Sequence, residues 1–89
     1  MRDELKEIFG NELRYLAIET RERLGITQRE MGELLQMSES SYSDIETGRY
    51  NCSMPSAILL LNLQEDPKLF IRRCVEKALR IIEREVQLV

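Results

Sequence analysis

Between residues 28 and 51 the chain sets out nine side chains suited to recognising a ligand: Gln28, Glu39, Ser40, Ser43, Asp44, Thr47, Arg49, Tyr50 and Asn51. Amide, hydroxyl and guanidinium groups can meet phosphate oxygens, and a carboxylate can accept from an exocyclic amine such as cytosine N4. Bond-making chemistry has no comparable support. The 89-residue chain has no His, no glycine-rich phosphate loop, and no Ser or Cys with an evident base beside it. Paired acids such as Glu83 and Glu85 read as solvated helix charges. Cys52 and Cys74 show no metal-ligand spacing, so no metal or other cofactor is implied. Both read as reduced thiols, Cys74 on an apolar helix face and Cys52 in a loop, with a redox switch as the lesser reading. An enzyme is therefore not expected.

Two short helices joined by a tight turn must carry the recognition set. Thr27 is a good N-cap, Glu30 completes a capping box three residues on, and Ile26 can staple onto Met31. Met31, Leu34 and Leu35 repeat at helical spacing, and Gly32 removes bulk where a second helix could cross closely. Ser38 caps the next helix, Met37 and Tyr42 form another staple pair, Tyr42 and Ile45 face inward, and Gly48 supplies a left-handed stop. This pattern is a helix-turn-helix over residues 27–47. Ser40 and Ser43, with Glu39 and Asp44, fall opposite Tyr42 and Ile45; they are the base-reading candidates, against the plainer reading of a solvated face. The polar segment Thr47 to Cys52 is free to face a phosphate backbone, and Arg49 brings the charge such a contact needs.

At these residues the chain resembles the Cro and phage-repressor type, or XRE-like, helix-turn-helix family, over roughly Leu13 to Leu63. The matching residues are Arg21, Gly25-Ile26-Thr27-Gln28, Met37-Ser38, Ser43, Ile45, Glu46 and Gly48. The resemblance implies a compact all-α, lambda-repressor-like domain that sets the second motif helix, here 38–47, in the major groove of double-stranded DNA. It further implies a cytoplasmic regulator, usually dimeric. Gln28 would bond a phosphate oxygen beside the helix N-terminus, and Thr47, Arg49, Tyr50 and Asn51 would touch the DNA backbone. Arg21 would pair with Glu46, tying the first helix to the recognition helix. Two positions depart from the family. Gln36 stands where the family commonly has a left-handed Gly; a Gln there costs on the order of 1 kcal/mol, which predicts a different turn. Glu39 and Asp44 stand where basic or amide side chains are commoner.

Charge tempers the DNA reading. Residues 27–53 hold Arg29 and Arg49 against Glu30, Glu33, Glu39, Asp44 and Glu46, a net −3, a poor surface for nonspecific phosphate binding. Residues 67–89 carry a net +3, whose mixed signs read first as solvated flanks of a helix interface. The competing reading is a helix-turn-helix scaffold that binds protein, as an antitoxin-like or anti-repressor partner. Length fits one domain over 1–89 with a modest core. No run of roughly 18 apolar residues suggests a membrane span, and no signal-peptide core follows Met1, so a cytoplasmic location is expected.

Five helices account for nearly the whole chain. The first should run from about Asp3 to Leu24, longer than the family needs, with Leu5, Ile8, Phe9, Leu13, Leu16, Ala17 and Thr20 inward. The fourth starts near Ser53, and its run Ala57 to Leu61, apolar on nearly all sides, should be the most buried element. The fifth opens at Asp66-Pro67 and spans 67–87. Its stripe Ile71, Val75, Ala78, Ile82, Val86 and Val89 predicts a homodimer, unless it folds back onto Leu5, Ile8 and Phe9; both hold if the helix uses two faces.

Overall fold

The computed structural model describes residues 1–86 as five α-helices: α1 (Arg2–Leu24), α2 (Gln28–Leu34), α3 (Glu39–Glu46), α4 (Met54–Asn62) and α5 (Pro67–Val86), with no strand among the described residues. The Gln87 helix end and Val89 lie outside the described residues, as does the Val86 side chain. Local chemistry starts each motif helix. Thr27 Oγ1 accepts from Glu30 N at 3.1 Å while Glu30 Oε1 accepts from Thr27 N at 3.1 Å, a complete capping box. Ser38 Oγ accepts from Ser41 N at 3.1 Å, and Ser53 caps α4 with Pro55 in the first turn.

Three helices end in one geometry. In α1 the Ile26 N–H reaches back to Arg21 O, in α2 Met37 N–H to Gly32 O, and in α3 Arg49 N–H to Asp44 O. Each closure needs a left-handed residue: Gly25 at φ 66°, Gly48 at φ 78°, and Gln36 at φ 59°. The expected alternative turn at Gln36 is thus not adopted. The Met37 N–H to Gly32 O bond of 2.9 Å and the Gln36 N–H to Glu33 O bond of 3.2 Å outweigh the side-chain clash. Gln36→Gly should therefore raise stability by about 0.5–1 kcal/mol, less whatever the freer unfolded chain gives back. A urea midpoint unchanged or lowered would show that Gln36 carries no strain.

The core joins Leu13 and Ala17 of α1, Met31 and Leu35 at the end of α2, Tyr42 of α3, Ala57 and Leu60 of α4, and Phe70 of α5. Two polar side chains inside it are satisfied. Thr20 Oγ1 donates to Leu16 O at 2.6 Å and accepts from Gln64 Nε2 at 2.9 Å, while Ser56 Oγ donates to Leu35 O at 3.1 Å. Helix α4 is not the most buried element. Ser56, Ala57 and Leu60 are buried, but Ile58 is 59% exposed and Met54 66%. A nine-residue helix on the rim of the core is covered on one side only, so an all-round apolar sequence leaves an apolar strip facing out.

Helix α5 folds back antiparallel along α1. Phe9 and Phe70 rings approach with centroids 6.3 Å apart, Lys77 pairs with Glu12, and Arg84 pairs with Glu4 at 2.9 Å. Phe9 is nonetheless 40% exposed. The fifth-helix stripe divides between two faces. Phe70 is buried, and Cys74, Ala78 and Ile81 are half-buried, whereas Ile71, Val75 and Leu79 are 50%, 49% and 45% exposed. Ala78 and Ile82, both half-buried, thus leave the predicted outward set and Leu79 joins it. A stripe at intervals of three and four covers about 100° of helix, wide enough to span both edges.

Candidate nucleic-acid interface

Close backbone approach brings α2 and α3 together. A Cβ on Gly32 would lie 2.9 Å from Met37 O and 3.2 Å from Ser38 O, so only Gly lets α2 sit against the turn that launches α3. With Tyr42 and Ile45 buried, α3 turns its other side outward. Glu39 and Ser40 are exposed there, and Ser43 and Asp44 are half-buried beside them. Ser40 lies 3.4 Å from Ser38 Oγ, so its hydroxyl sits next to the cap and remains at the surface. Glu39 makes no ion pair among the described residues.

The loop after α3 is held by its own backbone. Gly48 N–H donates to Ile45 O at 3.1 Å, and Thr47 Oγ1 donates to Asp44 O at 3.2 Å. Arg49 Nη1 stands 3.9 Å from Asp44 Oδ1, with the arginine side chain 77% exposed. Such a long, wet pair is worth under about 1 kcal/mol, so Arg49 is readily released to a phosphate. Tyr50 and Asn51 are exposed. Asn51 rests against α1 where Gly10 makes room: a Cβ on Gly10 would fall 2.5 Å from Asn51 Oδ1. Gly10 has a role here that its own neighbours in sequence do not announce.

Behind α3 lies a tight polar cluster. Arg21 Nε donates to Glu46 Oε2 at 2.6 Å and Arg21 Nη2 to Glu46 Oε1 at 3.1 Å, a bidentate contact between α1 and α3. Arg21 Nη1 also donates to Ile26 O at 3.3 Å. Gln28 Nε2 completes the cluster by donating to Glu46 Oε1 at 3.0 Å, so three helices meet on one carboxylate. The Gln28 amide has two N–H groups, and one remains for an outside acceptor. Burial alone would raise the Glu46 pKa, but the hydrogen bonds and positive charge of Arg21, with the Tyr42 hydroxyl and the Gln28 amide close by, outweigh it and hold the carboxyl below its ordinary value.

Tyr42 lies in the same cluster, its Oη buried without a hydrogen-bond partner among the described residues, and burial pushes the phenol well above its ordinary pKa. Tyr42→Phe should then change stability by less than about 1 kcal/mol, because an unpartnered hydroxyl contributes little. A thermal-melt loss well beyond that would reveal a bond to Glu46 made in solution.

Both thiols are half-buried, and burial pushes each above the ordinary cysteine pKa, which disfavours the thiolate a redox switch would need. Among the described residues no helix is long and apolar enough to cross a membrane.

A family model described as a helix-turn-helix domain matches residues 8–63, which takes in most of α1, both motif helices, the loop and all of α4. No curated protein and no solved structure matches the chain. The matched region stops short of α5.

Proposed function

The chain belongs to the helix-turn-helix domain family, and from that premise we propose a sequence-specific DNA-binding transcriptional regulator, a cytoplasmic repressor acting as a homodimer. One observation carries the reading. Along the chain the outward residues of α3, Glu39, Ser40, Ser43 and Asp44, stand between Gln28, at the start of α2 with one amide N–H to spare, and exposed Arg49 just after α3. That order suits a helix reading base edges between two backbone contacts. The acidic members of α3 then supply selectivity, by accepting from cytosine N4, and little affinity.

Selection of bound sequences from random duplexes tests this, and an enriched inverted repeat is the expected outcome. With the selected duplex, Arg49→Ala should weaken all sequences about equally and lower the salt slope by roughly 1, whereas changes at Ser40 or Asp44 should shift preference between sequences. No retarded complex at about 50 mM salt and micromolar protein would overturn the reading.

The second reading is a protein-binding module of antitoxin-like or anti-repressor type, favoured by the net −3 around the motif and by the outward Ile71, Val75 and Leu79. Salt separates the two. DNA binding should fall steeply as salt rises, and an apolar protein contact should not.

A further inference from the structure

Arg14, on α1, is a cation with no carboxylate partner among the described residues. Its guanidinium carbon stands 4.8 Å from the centre of the Tyr15 ring, and Nη2 donates to the Tyr15 hydroxyl at 3.2 Å. Its Nε is buried and makes no hydrogen bond. The group is thus braced in place but not neutralised. It is braced at Gly48, where a Cβ would meet Arg14 Nη1 at 3.4 Å. Gly48 opens the loop that carries Arg49, so α1 delivers a second positive charge to the end of the recognition helix.

We propose that Arg14 is a DNA-backbone contact, meeting a phosphate beside the one engaged by Arg49. This rests on the DNA-binding reading and extends its footprint to α1. A planar guanidinium stacked on an aromatic ring loses little freedom on meeting a phosphate, and it keeps several donors to offer. The local field makes the contact matter. The cleft shared by Gly48, Asn51 and α1 is lined by Asp3, Lys6, Glu7 and Asn11, whose charges sum to a net negative. With the motif itself acidic, a phosphate near this loop depends for attraction on the few cations around it, Arg14 and Arg49 with Lys6 in the cleft.

Anisotropy titrations of the selected duplex across a salt series, with wild type, Arg14→Gln, Arg14→Lys and Arg49→Ala, provide the test. Arg14→Gln should lower the salt slope by about 1 and weaken selected and unrelated duplexes by the same several-fold factor, and Arg14→Lys should keep the slope. An Arg14→Gln slope equal to wild type, alongside a reduced Arg49→Ala slope, would overturn the proposal and leave DNA binding intact. A wild type that retards no duplex would remove both. If Arg14→Gln melts early, neutral methylphosphonates scanned along the duplex against Arg49→Ala protein replace it. A phosphate whose neutralisation lowers the slope further supports the contact; no such phosphate rejects it.

Discussion

Glu46→Ala should lower the unfolding free energy by about 2–4 kcal/mol, more than any other surface-proximal side chain in the motif. Removing either partner of a fully buried ion pair costs roughly 3–5 kcal/mol, because the survivor is stranded. Here the side chains are 24% exposed for Arg21 and 10% for Glu46, so water reaches the arginine and the figure shrinks. Losing Glu46 also frees Gln28, which adds to the cost. A double-mutant cycle over Arg21→Ala and Glu46→Ala should return a coupling of about 1–3 kcal/mol, and a coupling indistinguishable from zero would reject the pair.

The pH dependence has a definite sign. A carboxyl whose folded pKa lies below its unfolded value binds its proton more weakly when folded, so its contribution is present above about 4.5 and is lost as pH falls through the folded value. Wild type should therefore lose stability more steeply on that acid limb than Glu46→Gln. Equal limbs would mean that the hydrogen bonds do not favour the ionised form.

Local rules made the helices legible. Caps at Thr27, Ser38 and Ser53, the helix-compatible Pro55 and Pro67, and stops at Gly25 and Gly48 each act within a few residues, so the sequence specifies them directly. Gln36 departs from its local preference for a related reason. The propensity of a Gln in the left-handed region is local, but the two backbone bonds that hold it there and the packing of Met37 on the core are set by the whole motif. The α4 run failed in another way, since hydropathy tells which residues can be buried and not how many neighbours the fold provides.

In the candidate interface, composition identified the outward residues of α3 and the loop, because a polar face opposite Tyr42 and Ile45 is a periodicity statement. It did not show that Gln28 bonds Glu46, eighteen residues away, or that Gly10 admits Asn51. Those depend on how α2 crosses α3 and on how far α1 extends past the loop. Arg14 was hidden likewise. On a helix rich in charges nothing marks one arginine until its neighbours from another segment are known.

Val75→Asp with Leu79→Asp should convert a dimer into a folded monomer and weaken binding to a palindromic duplex by about 10²–10⁴-fold. Both side chains point away from α1 and are about half exposed, so the charges should not disturb the α1 contact made through Phe70, Lys77 and Arg84. A double change at Ala78 and Ile81 would strike that inward face instead and unfold the helix pair. Self-association would rest on the apolar Ile71, Val75 and Leu79, since the exposed charges along α5 are of mixed sign, Lys68, Arg72 and Arg80 with Glu76 and Glu83. Two-fold symmetry would then offer two copies of α3 to half-sites about 34 Å apart, and the weak attraction of each acidic motif would be doubled on one duplex. Sedimentation should show wild type as a dimer at high micromolar concentration and the double variant as a monomer with an unchanged helical spectrum. A wild type that stays monomeric would rule out the α5 interface, and a selected site without inverted symmetry would then be the consistent companion result.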